Sequence, residues 1–274
     1  MAAIPIITLS DGNKIPQIGL GLWKVKDQAE FNTAFETAVQ AGYRHFDSAQ
    51  AYDNEHMLGA ALQRSGLKRE EAWVTTKVAV EHFGYHHART SFDESLEKLK
   101  LDYVDLLLLH FPVTILRKKS WTALEEIQAA GKAKSIGVSN FTIKHLEEMK
   151  DYAKVMPAVN QVELHVFLQQ PELLEYCRQH DITVEAYSPL AHAKAGADEP
   201  VLVELAEKYG KSYAQIMLRW CLQKDLIILP KSVTPSRIKE NIDVFDFELT
   251  EADMQKLAGL ERDLRTCWSP VHVP

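Results

Sequence analysis

The sequence predicts an α/β protein of the (β/α)8 TIM barrel class. Short apolar runs rich in β-branched residues alternate with amphipathic segments along the whole chain of 274 residues. There are about eight such units, which is the number that closes a barrel. The chain length is also ordinary for that fold, which typically takes about 250 residues. We therefore expect one domain over residues 1–274.

The first element is a predicted β-hairpin. Ile6, Ile7 and Leu9 lead into the turn Ser10-Asp11-Gly12-Asn13, and a second apolar run over 15–20 follows. Asp-Gly between two such runs is a strong hairpin signal. The end of the second run, 18–20, is the first predicted barrel strand.

The first helix is predicted from Asp27 onward. Phe31, Ala34, Phe35 and Ala38 have the spacing of one helical face, and a glycine at position 42 suits the helix end. A short strand over 43–47 follows.

The same alternation continues to the end of the chain. Apolar helical faces recur at Met57, Ala61 and Leu62, at Phe92, Leu96 and Leu99, at Trp121, Leu124 and Ile127, at Ile143, Leu146 and Met149, at Leu173, Leu174 and Cys177, at Leu202, Leu205 and Ala206, and at Tyr213, Ile216, Met217 and Trp220. The predicted strands between them are 73–76, 104–109, 135–138, 159–164, 182–186 and 226–229. Strands that are apolar on both sides belong in a parallel sheet covered by helices. An open doubly wound sheet is the alternative, but no GxGxxG follows the first strand and no linker divides the chain. The small and charged residues over 191–200 predict a flexible loop above the barrel.

Composition narrows the class of partner. The net charge of −7 argues against nucleic acid and anionic membranes, which both require clustered cations. Small molecules are the expected partners. Cys177, Cys221 and Cys267 show neither CxxC spacing nor a neighbouring histidine, so we expect no metal site and a reducing compartment. No signal peptide and no apolar stretch of about 18 residues is apparent, and a cytoplasmic protein is predicted.

Polar residues follow the predicted strands at the end where barrel enzymes carry their chemistry. Those expected at this rim are Asp47 and Tyr52, Lys77, His110, Ser139 and Asn140, Asn160, Gln161 and Glu163, Tyr187 and Ser188, and Lys231 and Ser232.

Four of these residues suggest carbonyl reduction. Reduction needs a hydride from a dinucleotide and a proton for the oxygen, which becomes negative as the hydride arrives. Tyr52 is the expected proton donor, and the neighbouring cation Lys77 is expected to pull the phenol pKa below its ordinary value of about 10. Asp47 would keep the ammonium charged, and His110 would orient the carbonyl as a neutral imidazole. Each residue singly has an ordinary structural explanation, and an aldolase with Lys77 as its Schiff-base nucleophile competes.

A phosphate site is predicted near the last strand. Lys231, Ser232, Thr234 and Arg237 surround a strand-to-helix turn, where free backbone N–H groups and the helix dipole already favour an anion. NADPH is therefore expected over NADH. A solvated basic cluster is the alternative, although cations oppose the dipole there unless an anion is bound.

Over its whole length the chain resembles the aldo-keto reductases. The resemblance lies in SDGNKIPQIGLGLW, GYRHFDSAQAYDNE, VTTKV, LDYVDLLLLHFP, GKAKSIGVSNF, PAVNQVELH, EAYSPL and ILPKSVTPSRIKEN, in that order. Within the family it is similar to short bacterial members such as 2,5-diketo-gluconate and methylglyoxal reductases. The resemblance implies a hairpin that closes the barrel base and a catalytic tetrad of Asp47, Tyr52, Lys77 and His110.

The resemblance also implies the ligand contacts. The cofactor NADPH/NADP+ would be bound by Ser139, Asn140, Gln161, Tyr187, Ser188, Leu190, Lys231, Ser232, Val233, Thr234, Arg237, Glu240 and Asn241. Of these, Ser139, Asn140 and Gln161 would hold the carboxamide, and Tyr187 would stack beneath the nicotinamide ring. Substrate would meet Trp23, Ala79, His110, Phe111 and Trp268.

Two positions depart from the family pattern. Many relatives carry Trp where this chain has Ala79 and Phe111, so a less aromatic pocket is expected. The loop over 112–120 is expected to be short and the mouth open. The tail over 265–274 is expected near the substrate, and a plain surface tail is the alternative. The substrates would be aldehydes, α-dicarbonyls or keto-sugars. A nucleotide-sensing barrel of weak activity is the second hypothesis, and a monomer is expected because closed barrels have no sheet edge.

Overall fold

Eight parallel strands form a barrel in a computed structural model that describes residues 3–193 and 196–274. Each strand pairs with the next one in the chain, so the sheet order follows the sequence order. The first and last strands meet where Ile18 bridges Ile228, and the Ile228 amide donates to the Gln17 carbonyl over 3.0 Å. The predicted (β/α)8 class is confirmed.

The hairpin strands are β1 (Ile6–Thr8) and β2 (Lys14–Pro16). The barrel strands are β3 (Leu20–Gly21), β4 (His45–Asp47), β5 (Trp73–Val78), β6 (Val104–Leu109), β7 (Ala133–Ser139), β8 (Val159–Glu163), β9 (Thr183–Tyr187) and β10 (Ile227–Leu229). The helices are α1 (Gln28–Ala41), α2 (Glu55–Arg64), α3 (Tyr85–Leu99), α4 (Arg117–Ala129), α5 (Ile143–Met149), α6 (Pro171–Gln179), α7 (Pro200–Tyr209), α8 (Tyr213–Leu222), α9 (Pro235–Ile242) and α10 (Glu251–Ala258).

The first helix shows how local chemistry sets these limits. Asp27 caps α1 by accepting from the amides of Ala29 and Glu30, both over 2.9 Å. Gly42 ends the helix at φ 102°, a conformation that glycine adopts without a steric cost. Phe31 and Phe35 are buried against the barrel, as their spacing predicts.

The hairpin closes the base of the barrel. Its strands pair antiparallel, with Ile7 opposite Ile15. Leu9 and Ile15 are buried in one apolar cluster with Trp73, Leu106, Leu108, Ala158, Val159 and Ile227, which come from the barrel strands and the residue before β8. The open end of the barrel is therefore the opposite one, at the carboxyl ends of the strands.

Helices α2 and α3 make one notably close contact. A Cβ placed on Gly59 in α2 would lie 2.4 Å from the carbonyl oxygen of Leu99 at the end of α3. Real Cβ atoms do not approach a carbonyl oxygen so closely, so the two helices pack at this distance because position 59 is glycine.

The loops depart in detail from what the sequence suggests. In the segment 191–200 a 3-10 turn spans Ala191–Ala193, and Lys194 and Ala195 lie outside the described residues. The segment 112–120 is even shorter as a loop than expected, because α4 already begins at Arg117. No helix among the described residues has the length and apolarity that a bilayer crossing requires.

Candidate active site

Asp47, Tyr52, Lys77 and His110 lie together at the open end of the barrel. Asp47 ends β4, and Tyr52 lies in the 3-10 turn Gln50–Tyr52 that follows this strand. Lys77 is the penultimate residue of β5, and His110 directly follows β6. The Lys77 Nζ atom donates to Asp47 Oδ1 over 2.6 Å and to Tyr52 Oη over 3.3 Å. The rings of Tyr52 and His110 meet edge to face, 5.6 Å between centroids.

Lys77 is fully buried and remains charged. Burial lowers the pKa of this ammonium, but Asp47 and Tyr52 together raise the pKa above its ordinary value. A third acceptor, the backbone carbonyl of Ser48, lies 2.9 Å from Nζ. All three ammonium protons thus have an acceptor, which fixes the position of the cation.

The pKa of Tyr52 differs from the sequence-based expectation. Lys77 does lower it, as expected, but burial of the phenol is the larger effect and Asp47 adds to it, so the pKa is raised above its ordinary value. The expectation of a phenol with a lowered pKa was therefore wrong. The physical reason is that desolvation of the buried phenol exceeds the effect of Lys77, and Asp47 offsets part of that effect. Tyr52 consequently keeps its proton throughout the neutral range.

His110 is a neutral imidazole, in agreement with the sequence analysis. Burial, and after it the charge of Lys77, lowers the pKa of His110 to about 3. A neutral ring can donate one hydrogen bond without adding charge. The backbone carbonyl of His110 accepts from Asn140 Nδ2 over 3.1 Å, which ties this residue to the end of the neighbouring strand.

A second group of predicted residues lines the adjoining strand ends. Asn140 follows β7 in the left-handed region at φ 66°, and its Oδ1 atom accepts from the Tyr187 hydroxyl over 2.7 Å. Ser139 Oγ accepts from Asn140 Nδ2 over 3.0 Å and donates to the Gln161 carbonyl over 2.9 Å. Gln161 Nε2 donates inward to Asp47 Oδ2 over 2.9 Å, so the group is linked to the tetrad.

The predicted phosphate residues flank the start of α9. Thr234 is the N-cap residue, yet its side chain makes no capping hydrogen bond. Lys231 and Arg237 are exposed, and neither forms an ion pair with any residue that the structure describes. The buried Ser232 accepts from the Thr234 amide over 3.0 Å. Uncapped helix amides and unpaired cations together suit an anion.

The remaining predicted cofactor residues lie around this region and at the end of β9. Leu190 and Val233 are partly buried, Asn241 is buried, and the Glu240 carboxylate accepts from Ser212 Oγ. Ser188 is in the left-handed region at φ 48° and lies 3.6 Å from Cys267 Sγ.

The predicted substrate residues are more widely spread than the predicted cofactor residues. Ala79 is buried and Phe111 partly buried beside the tetrad, whereas Trp23 is 38% exposed and lies 6.0 Å from the His192 ring. Trp268 is 84% exposed and extends into solvent. Its neighbour Cys267 lies close enough to the site to raise the pKa of Tyr52 and of Tyr187.

The sequence analysis missed His45, Glu185 and Cys267. His45 and Glu185 each precede a predicted site residue by two positions, so strand alternation places them on the same inner face as Asp47 and Tyr187. The alternation is visible in the sequence segments HFD (45–47) and EAY (185–187). No comparable pattern marks Cys267.

Comparisons with known proteins agree with this geometry. The Aldo/keto reductase family model matches residues 17–262. Glyoxal reductase of Bacillus subtilis (strain 168) is 44% identical over 264 residues, covering 96% of this chain and 95% of the relative. Methylglyoxal reductase DkgA of Escherichia coli (strain K12) is 43% identical over 268 residues, covering 97% and 96%. A solved Bombyx mori aldo-keto reductase in complex with NADP superposes with a TM-score of 0.91 at 34% identity, covering 97% and 95%.

Proposed function

Because this chain belongs to the aldo/keto reductase family, we propose that it reduces small α-dicarbonyls and related aldehydes or keto-sugars with Tyr52 as proton donor. The family makes the protein an NADPH-dependent oxidoreductase that acts on carbonyl groups. Two relatives named for glyoxal and methylglyoxal reduction support the choice of α-dicarbonyls. Many family members carry Trp at the positions of Ala79 and Phe111. The smaller side chains here make the pocket less aromatic, which suits small substrates that have no aromatic ring.

The residues around α9 fit a phosphorylated dinucleotide. Lys231 and Arg237 are cations without carboxylate partners, and the helix amides beside them are not capped by a side chain. A 2′-phosphate supplies the negative charge that both features lack. At the other end, the hydrogen-bonded Ser139, Asn140 and Tyr187 would hold the nicotinamide end. When bound, NADPH supplies the hydride that reduces the carbonyl carbon.

The proton step rests on the 3.3 Å contact between Lys77 Nζ and Tyr52 Oη. This contact is the single observation that carries the proposal. As the carbonyl oxygen gains negative charge, the Tyr52 O–H proton moves to it, and the adjacent ammonium stabilises the phenolate that remains. Asp47 keeps that ammonium charged and stationary, and His110 donates to the same oxygen as a neutral ring.

The two alternative hypotheses, an aldolase and a nucleotide-sensing barrel, predict different properties of Lys77 and of the reaction rate. A Schiff-base aldolase needs an unprotonated lysine nitrogen, but this nitrogen has three acceptors and a raised pKa. A nucleotide-sensing barrel would bind NADPH without measurable turnover on any carbonyl. Neither alternative is favoured by the family relationship.

The decisive experiment compares the wild-type protein with Tyr52→Phe. Wild-type protein should oxidise NADPH with glyoxal or methylglyoxal, and the variant should lose about 100-fold or more of kcat. NADPH binding, followed by quenching of protein fluorescence, should stay close to the wild-type value. Tyr176→Phe serves as the control because Tyr176 lies on the outer helix α6, where its hydroxyl donates to Glu147. Retained turnover in Tyr52→Phe would remove Tyr52 as the acid.

We further propose that the protein is a cytoplasmic monomer. The closed sheet offers no edge for pairing with a second copy. Cys177 and Cys221 are free and buried and Cys267 is free and partly buried, which suits a reducing compartment. Sedimentation of the purified protein should give a mass near 31.1 kDa.

A further inference from the structure

A polar layer lies directly beneath the tetrad in the barrel interior. His45, Thr75, Gln161 and Glu185 point inward from four strands and are all at most 1% exposed. Barrel interiors are usually filled by branched apolar side chains at this level. Two of these four groups are titratable, and the proton transfer described above uses neither of them.

The layer is joined to the tetrad through Gln161. Its amide nitrogen donates to Asp47 Oδ2 over 2.9 Å and to Glu185 Oε2 over 2.6 Å. The two carboxyl groups therefore share one donor and lie close to each other. Asp47 has the Lys77 cation 2.6 Å away, whereas Glu185 has no cation at hydrogen-bond distance among the described residues.

The remaining oxygen of Glu185, Oε1, lies near His45. Glu185 Oε1 makes no hydrogen bond within the described part of the chain, and the nearest partner is His45 Nε2 at 3.5 Å. An ionised carboxylate in that place would be a second negative charge beside Asp47, whose cation is Lys77. Such an unpaired buried charge is strongly unfavourable, and protonation of the carboxyl removes it.

We propose that Glu185 is a positioning residue held as a neutral carboxylic acid, and that its ionisation weakens Tyr52 as the proton donor. The second half of this proposal rests on the proposed reduction. With Glu185 neutral, Asp47 and Lys77 form a balanced pair and Gln161 keeps Asp47 in place. With Glu185 ionised, the pair carries an added negative charge, and release of the Tyr52 proton becomes harder.

The protonation states of the groups around Glu185 agree with this arrangement. Burial, and after it the charge of Asp47, raises the pKa of Glu185 to about 8. Burial lowers the pKa of His45 to about 3, so this ring is neutral and supplies no cation. Lys77 opposes the shift of Glu185 without cancelling it. On the other side β10 presents the apolar Ile227 opposite Glu185.

The sign of the effect on rate follows from the state of Tyr52. Because the Tyr52 pKa lies above its ordinary value, the phenol stays protonated between about pH 7 and pH 9.5. A fall in the rate of reduction over that range cannot then come from loss of the Tyr52 proton. It is expected from the added negative charge of Glu185, which makes the phenol a weaker acid.

Infrared spectroscopy tests the protonation state without any assay of activity. The C=O stretch of a protonated carboxylic acid should be present at pH 7 and disappear on titration to about pH 9.5. Among the described residues, Glu55 is the other buried glutamate with a raised pKa, and it accepts from the hydroxyls of Thr76 and Ser95. The band assigned to Glu185 should therefore persist in Glu55→Gln and be absent from Glu185→Gln. If Glu185→Gln does not fold, Glu55→Gln alone still isolates the Glu185 band, and its absence at pH 7 overturns the proposal.

Kinetics test the consequence for Tyr52. The kcat/KM of the wild-type protein should fall about three- to tenfold between pH 7 and pH 9.5, while the profile of Glu185→Gln stays flat. Glu172→Gln, an exposed first-turn residue of α6, should reproduce the wild-type profile. An unchanged fall in Glu185→Gln overturns the link to Tyr52. A wild-type protein with the infrared band but no turnover on any carbonyl would instead contradict the proposed reduction.

Discussion

The Nζ atom of Lys77 lies 3.3 Å from the hydroxyl oxygen of Tyr52, and both side chains face the open end of the barrel. The contact joins a residue inside β5 to one in the turn after β4. Parallel neighbouring strands bring their carboxyl ends to the same edge, so the fold itself produces this pairing.

Removal of Lys77 should destabilise the protein through Asp47. Lys77→Met leaves a buried carboxylate without its cation, which should cost about 3–5 kcal/mol of unfolding free energy. The double variant Asp47→Asn/Lys77→Met removes the stranded charge and should recover part of this loss. Urea unfolding, monitored by circular dichroism, measures the unfolding free energy of both variants. A double variant less stable than Lys77→Met would contradict the explanation.

Arg237 should determine the preference for NADPH. Arg237→Ala should weaken NADPH binding about 10- to 100-fold, as expected for loss of a charge-assisted contact worth about 1.5–3 kcal/mol. Binding of NADH, which lacks the 2′-phosphate, should change little. Lys239→Ala is the matched control, since Lys239 is also an exposed cation of α9. If Arg237→Ala loses affinity for NADPH and NADH equally, Arg237 does not contact the 2′-phosphate.

Gly59 should tolerate no side chain. Gly59→Ala forces a Cβ against the Leu99 carbonyl and should lower the unfolding free energy by about 1–3 kcal/mol. Gly259→Ala, at the exposed end of α10 with φ −67°, places its Cβ at a milder 3.2 Å from the Lys256 carbonyl oxygen and should cost clearly less stability than Gly59→Ala. Thermal unfolding of the two variants side by side distinguishes close packing from a general effect of replacing glycine.

Asp253 should contribute stability that acid removes. Its carboxylate accepts from Lys208 Nζ, Tyr209 Oη and Thr250 Oγ1 over 2.7, 2.5 and 2.6 Å. Burial raises the pKa of this carboxyl, but Lys208 and the two hydroxyls outweigh burial and hold it well below its usual range. A depressed folded-state pKa adds stability above the unfolded value of about 3.9, and that stability is lost as pH falls.

Asp253→Asn should therefore be less stable than wild type at pH 7 by about 1 kcal/mol, through its hydrogen bonds at the start of α10. The difference should shrink as pH falls from about 4 toward 2. Asp263→Asn, whose carboxylate is exposed, should show no such dependence. A constant difference between wild type and Asp253→Asn at all pH values would exclude the linkage.

The barrel and the position of the tetrad were predictable because both depend on local pattern. The apolar runs and helical faces mark the elements, and Asp47, Lys77 and His110 stand at or after strand ends in the sequence. The pKa of Tyr52 was not predictable, because it depends on how burial and Asp47 compare with Lys77 in the folded interior.

The polar layer was also beyond the sequence. Alternation shows that His45 and Glu185 face inward, but it does not show which side chains they meet across the barrel. Their 3.5 Å contact joins residues of β4 and β9, which are separated along the sequence by the four strands β5 to β8. Cys267 lies in a tail without periodicity, so its place beside Ser188 depends on tertiary packing alone.

The hairpin under the barrel has a practical consequence for handling the protein. Its turn at Asp11 and Gly12 is exposed and lies at the end of the barrel opposite the tetrad. A linker inserted there could attach the enzyme to a bead, an electrode or a second enzyme while the mouth faces the surrounding solution. Exchange of small molecules would then proceed unobstructed on the free side of the support.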